Sequence, residues 1–196
     1  MIRFDNLPPE VMQAMITPMH QILPPASLPP SASHPSGAQT GALYLGSLSA
    51  VQDAAMLRQQ GITHLVQVLD VPWLPVSEKD GFDCYKIEIH DEASVDLRPY
   101  LEGVCSYIAK ALGQGRNVLV HCQQGISRSP AIVMAYLMRA HGMTYSAAYS
   151  YVHRKRACVK PNSGFVRALQ DWEGVLASGA GSGHGARPGF ARRFTT

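Results

Sequence analysis

The stretch from Asn117 to Met138, NVLVHCQQGISRSPAIVMAYLM, constrains the fold more than any other part of the chain. Asn117 to Val120 is a short apolar run with β-branched residues, which reads as a buried strand. From Pro130 onward the pattern is long, apolar and rich in Ala, Met and Leu, which reads as a buried helix. Between them, His121 to Ser129 must form a strand-to-helix loop. Cys122 opens that loop and Arg128 closes it, with five residues between them.

This spacing suits phosphate chemistry. A tight loop before a helix can turn successive backbone N–H groups inward as an anion-binding nest, and the helix N-terminus adds its positive dipole end. Gln123, Gln124, Gly125, Ile126, Ser127 and Arg128 are the residues whose amides would line it. Gly125 can supply a positive φ, and Pro130 fits a first helical turn, where a missing N–H costs nothing. The Arg128 guanidinium can offer two parallel donors to phosphoryl oxygens, which a lysine does not reproduce. The same positive field favours the thiolate of Cys122. Anion site and nucleophile thus coincide.

Hydrophobic residues make up 46% of the 196, the content of a globular protein with a core. The net charge of +3 is local: Arg187, Arg192 and Arg193 supply all of it, and the first 176 residues are balanced. A nucleic-acid-binding surface, which needs a concentrated basic footprint, is therefore not expected. Cys84, Cys105, Cys122 and Cys158 are widely spaced, without a C-x-x-C pair, so neither a disulfide framework nor a zinc site is expected. A reducing compartment, cytoplasmic or nuclear, follows. Asp5, Pro8, Pro9 and Glu10 leave no room for a signal-peptide core. The longest apolar run, Ala131 to Met138, is far shorter than a membrane span, so no membrane insertion is expected.

Residues 1–40 hold eight of the 14 prolines and read as an extension that is partly disordered. Within it, Val11, Met12, Met15, Ile16, Met19, Ile22 and Leu23 follow helical spacing on one face, with Pro18 as a break. That face would dock a protein partner, pack on its own domain or stay unfolded; periodicity does not name the surface it buries. The folded unit is expected over residues 41–176, and 177–196 as a flexible Gly/Ser/Arg tail. Strands are expected at Ala42–Gly46, Thr63–Leu69, Cys84–Ile89 and from Asn117. Helices are expected from Ser49 as cap to a stop at Gly61, from Leu97 to Leu112, from Thr144 and from Pro161-Asn162. Pro72, Pro75, Asp80 and Gly81 mark a loop. Strands alternating with helices give an α/β fold: a central, mainly parallel twisted sheet of about five strands flanked by helices. A ligand would sit at the carboxyl end of a strand, where the Cys122 loop falls.

HCQQGISRS, followed by AYLM, resembles the active-site signature of cysteine-dependent protein phosphatases of the dual-specificity branch. The resemblance covers roughly residues 41 to 176 and implies a protein-tyrosine-phosphatase-like fold. It implies Cys122 as nucleophile, Arg128 as phosphate clamp and Ser129 as the hydroxyl that eases departure of the thiolate. His121 then supports the loop and helps keep the cysteine ionised; as a strand neighbour of Cys122 it points the other way. A general acid is needed on a loop reaching the pocket. Asp91, at the end of the third strand, is the candidate, and the family pattern of an aliphatic residue six positions on is met by Leu97. Asp96 is the second choice and a natural helix cap, while Glu92 reads as solvated surface. In RACVKPNSGF, Asn162 would brace the phosphate loop and Phe165 pack in the core. Arg154, Lys155 and Arg156 would border the pocket or form a solvated helix face.

The implied reaction is hydrolysis of phosphotyrosine and phosphoserine or phosphothreonine in a phosphorylated protein substrate, through a phosphocysteine, with no cofactor and no metal, by a monomer. A catalytically weak phosphopeptide-binding scaffold and a rhodanese-type sulfurtransferase are the alternatives. Gln123 and Gln124 depart from smaller residues frequent at these places, which bears on specificity.

Overall fold

The structure, a computed structural model, describes residues 7–28, 37–71 and 75–179. Pro72, the 29–36 part of the proline-rich run and the tail from residue 180, with its three arginines, lie outside them. In chain order the elements are α1 (Pro9–Ile16), β1 (Met19–Leu23), β2 (Leu43–Gly46), α2 (Ala54–Gln59) and β3 (Ile62–Val68). Then come β4 (Asp83–Ile87), α3 (Arg98–Gly113), β5 (Asn117–His121), α4 (Arg128–His141), α5 (Tyr145–Lys155) and α6 (Ser163–Ala177).

Among the described residues the sheet has five strands in the order β1-β2-β5-β3-β4. Every neighbouring pair is parallel except β1 against β2. This is the expected mainly parallel sheet. Its central strand, β5, is covered on both faces, which explains an unbroken apolar run rather than alternation. Val118 and Val120 pack with residues of α3, α4 and α6, whereas Leu119 faces the other way, onto Leu57 and Phe82. Helix α4 is buried at ten successive positions, Ser129 to Met138, so the AYLM segment is core on all sides. Gly142, at φ 64°, ends it with its N–H bonded to the Leu137 carbonyl. Among the described residues no helix is long and apolar enough to cross a membrane.

Two expectations are corrected. The folded unit does not begin at Gly41. Helical spacing ends at Ile16, and the chain beyond Pro18 becomes β1, paired antiparallel with β2 in the register Met19 to Gly46 and His20 to Leu45. Pro18 explains the change, because it withholds a donor and disfavours helix in the preceding residue. The open edge of β2 supplies partners for the extended segment. Ile22 is fully buried in the main core, so this strand belongs to the domain rather than to a linker. The cap of α2 is likewise Asp53, whose carboxylate accepts the Met56 N–H at 2.9 Å; Ser49 lies inside a 3₁₀ turn over Leu48–Gln52.

If β1 is structural, Ile22→Ala removes core contacts and is expected to cost about 2–5 kcal/mol in urea unfolding. Ile16→Ala, at a position 74% exposed, is expected to change stability by less than about 0.5 kcal/mol.

Candidate active site

The loop from Cys122 to Arg128 leaves the carboxyl end of β5 at the middle of the sheet. Its carbonyls are tied outward one after another. Gln123 O accepts from the Leu48 N–H at 3.1 Å, and Ile126 O from the Lys160 N–H at 2.7 Å. Between them, Gln124 O accepts from Arg156 Nη2 at 3.1 Å and Gly125 O from Arg156 Nε at 2.9 Å. In a planar trans peptide the N–H points opposite the carbonyl. Four anchored carbonyls therefore turn the N–H groups of Gln124, Gly125, Ile126 and Ser127 the other way, as a nest for an anion. The Gly125 N–H reaches Cys122 Sγ at 3.2 Å, which fixes the inside of that nest at the sulfur.

Gly125 is required twice over. Its φ is 67°, and a Cβ there would lie 2.6 Å from the Gly46 carbonyl oxygen. No other residue allows the loop to pass so close to the end of β2.

Cys122 is buried at the floor of the nest. Besides the Gly125 N–H, Sγ receives the Ser129 hydroxyl at 3.1 Å; that hydroxyl also lies 3.4 Å from the Gly46 carbonyl. Ser129 therefore spends its side chain on the sulfur rather than on capping α4. Two donors converging on one sulfur suit a thiolate and a departing thiolate alike.

Arg128 opens α4 and is mostly buried. Its Nη1 donates to the Ile89 carbonyl at 3.3 Å, while Nε lies 3.9 Å from Asp91 Oδ2 and has no hydrogen-bond partner among the described residues. A buried guanidinium N–H left unpaired beside an amide nest is a donor that a phosphoryl oxygen would satisfy.

Asp91 is brought to the same loop. Its Oδ1 accepts the Ser127 hydroxyl at 2.6 Å and Asn162 Nδ2 at 2.8 Å. Both donors occupy Oδ1, and Oδ2 is the oxygen that lies toward Arg128 Nε. Asn162 has three tasks: its Oδ1 caps α6 through the Phe165 N–H at 3.0 Å, its Nδ2 holds Asp91, and its N–H donates to Ser127 Oγ at 3.0 Å. Ser127 thus does more than lend an amide; its hydroxyl joins acid, brace and loop. Phe165 is fully buried in the core. Asp96, the second choice for the acid, caps the start of α3 by accepting the Arg98 N–H at 3.0 Å. Glu92 is exposed.

His121 is fully buried, and burial pushes its imidazole down to about 4, against a smaller opposing influence of the Cys122 backbone. It is neutral at pH 7 and shut away from solvent. Gln123 and Gln124 are exposed at the mouth of the nest. One expectation fails: Arg156 does not border the pocket. It is fully buried beneath the loop, and only Arg154 and Lys155 of that trio remain at the surface. Nothing local in the sequence separates Arg156 from its two exposed neighbours.

A buried cysteine at the floor of an amide nest, with Arg128 and Asp91 held beside the same loop, is an arrangement suited to receiving a phosphoryl group. A family model described as dual specificity phosphatase, catalytic domain, matches residues 43–175. Dual specificity protein phosphatase 1 of Arabidopsis thaliana is 40% identical over 131 residues, covering 67% of this chain and 65% of that protein. Dual specificity protein phosphatase MPK-4 of Drosophila melanogaster is 41% identical over 130 residues, covering 65% of this chain and 33% of that one. The chain thus spans from a third to about two thirds of the length of these relatives. Among solved structures, human DUSP28 has a TM-score of 0.66 at 32% identity, covering 69% of this chain and 94% of that chain. A human tyrosine phosphatase-like serine/threonine/tyrosine-interacting protein has a TM-score of 0.64 at 31% identity, covering 69% and 93%. The chain belongs to the dual specificity phosphatase catalytic-domain family.

The burial of His121 has a consequence for stability. In the unfolded chain an imidazole takes a proton near 6.5, but folded His121 takes it only near 4. Acidification between those values favours the unfolded state, and His20, His64 and His141, also lowered mainly by burial, act in the same direction. From pH 7 to pH 5 the His121 contribution to that loss is expected to be about 2 kcal/mol. Urea unfolding across this range should show a shallower slope for His121→Gln than for the wild type; equal slopes would assign the acid sensitivity elsewhere.

Proposed function

We propose that this chain is a cysteine-dependent protein phosphatase that hydrolyses phosphotyrosine and phosphoserine or phosphothreonine through a phosphocysteine. The observation that carries the reading is the junction of two parts on one loop. Cys122 Sγ lies within the nest, and Asp91 is bound to the same loop through Ser127 and Asn162.

Each step can be assigned to groups in this geometry. The Cys122 thiolate attacks phosphorus in line as the P–O bond to the leaving group breaks. Asp91 Oδ2 gives its proton to the departing oxygen, so no free alkoxide or phenoxide forms. The nest amides and Arg128 hold the three equatorial oxygens, where a loose transition state leaves positioning and electrostatics as the main work. Asp91, now a carboxylate, takes a proton from water as that water attacks the phosphocysteine. The S–P bond breaks, phosphate leaves and Ser129 donates to the returning thiolate. A thiolate nucleophile must stay reduced, so the reading expects a cytoplasmic or nuclear enzyme acting as a monomer.

The second reading is a phosphopeptide-binding scaffold. It draws on the likeness to a neighbour named as a phosphatase-like interacting protein. A binding module needs the nest and Arg128 but has no use for a braced Asp91 or for Ser129 aimed at sulfur. A sulfurtransferase has no observation behind it.

Hydrolysis of an aryl phosphate, in reducing buffer with chelator, separates these readings. Turnover is expected in the wild type and none in Cys122→Ser; phosphopeptide binding without wild-type turnover would favour the scaffold. Asp91→Asn is expected to lower kcat on a phosphopeptide by roughly 10²–10⁴-fold with KM little changed, the scale of general acid catalysis. An unchanged kcat would remove Asp91 from the role.

A further inference from the structure

We propose that Arg156 is a positioning residue of the catalytic loop, and that through it the N-terminal strand β1 takes part in catalysis. The inference rests on the reading of the Cys122 loop as the phosphate site, but it concerns a residue behind that site and a segment outside the matched family region.

Arg156 is among the largest fully buried side chains described, and among the described residues it forms no ion pair with a carboxylate. A buried cation with only neutral partners is costly to keep unless its geometry is in use. Every face of the guanidinium is in use. One edge presents Nε and Nη2 to the adjacent carbonyls of Gly125 and Gln124. On the opposite side Nη1 donates to the Thr17 carbonyl at 2.9 Å and to His20 Nδ1 at 2.9 Å. Arginine has no acceptor, so His20 must offer a bare Nδ1. Burial and the Arg156 charge both lower the His20 pKa, which keeps that nitrogen unprotonated at neutral pH.

The two loop carbonyls held by Arg156 belong to the peptide units whose N–H groups are those of Gly125 and Ile126. Releasing them would free both planes to rotate, and the N–H groups would no longer be held toward the anion. The far end of the fork is fastened to the turn entering β1. Pro18 O accepts the Ser47 N–H at 2.9 Å, just beyond the Gly46 carbonyl that Gly125 abuts. The segment Thr17–His20 therefore sets where Arg156 stands, and Arg156 sets the two central peptides of the nest. A lysine has neither the fork nor enough donors in a plane to hold two carbonyls and the strand together.

The test uses the full chain and two readouts. One is the kcat and KM for an aryl phosphate. The other is tungstate binding by calorimetry in a Cys122→Ser background, which reports on the nest whether or not the protein turns over. Arg156→Lys is expected to lower kcat roughly 10- to 100-fold, the cost of misplacing a reacting site by about an ångström, and to weaken tungstate binding at least tenfold. His20→Leu, which removes one hydrogen bond from the fork, is expected to give a loss of about fivefold in each readout. Ile16→Ala, on the exposed face of α1, is the control and should change neither. If Arg156→Lys folds with kcat and tungstate affinity within twofold of the parent, Arg156 is a packing residue and the proposal is wrong. If Arg156→Lys does not fold, His20→Leu decides: unchanged values overturn the proposal, and a parallel loss in both supports it. Absence of wild-type turnover together with tight tungstate binding would sink the enzymatic reading alone, because the binding series still tests the brace.

Discussion

The planarity of the peptide bond is the constraint on which the site depends. A nest for an anion requires several consecutive N–H groups to face one point, and a free loop has no reason to hold them there against their mutual repulsion. In this protein the restraint is applied to the other end of each peptide. The carbonyls of Gln123, Gln124, Gly125 and Ile126 are bound by Leu48 and, from a second segment, by Arg156 and Lys160. The inner face is thereby left as a surface of donors around Cys122 Sγ. Gly125 is the one residue whose backbone and missing Cβ let this happen against β2.

Asp91, the acid of the proposed mechanism, is held on the same scheme. Asp91 follows β4 and Asn162 precedes α6, yet both reach Ser127 in the loop. One carboxylate oxygen carries the hydrogen bonds and the other lies 3.9 Å from Arg128 Nε. Asn162 and Asp91 thus share the Ser127 hydroxyl, which ties both to the loop that carries Cys122. His121 lies apart from these hydrogen bonds. Its burial keeps it neutral, and its place on β5 is within the core.

Much of this was legible from local pattern. The loop from Cys122 to Arg128 is contiguous, and its function follows from a strand, a glycine and a helix start that are neighbours in sequence. The helix stop at Gly142 and the caps Thr144 and Asn162 are local as well. Asp91 was reached by its place after a strand and its spacing to Leu97. Other features were not legible, for a physical reason in each case. Met19, Ile22 and Leu23 fit helical spacing and strand pairing equally well; only the free edge of β2 decides between them. Arg156 is the third of three consecutive basic residues, and its burial depends on where α5 ends relative to a strand more than a hundred residues earlier.

The sequence by itself determined the class of chemistry, because a thiol, an anion nest and a guanidinium within seven residues form a site by short-range geometry alone. It also determined the alternating strand and helix order, since hydrophobic period and glycine or proline stops act within a few residues. Tertiary structure alone decided which oxygen of Asp91 takes the hydrogen bonds, that Ser127 links Asp91 to Asn162, and that β1 joins the sheet and reaches the loop through Arg156. Those are contacts between distant segments, and hydrogen bonds across a fold depend on where the packed core leaves each backbone, which no short window of residues encodes.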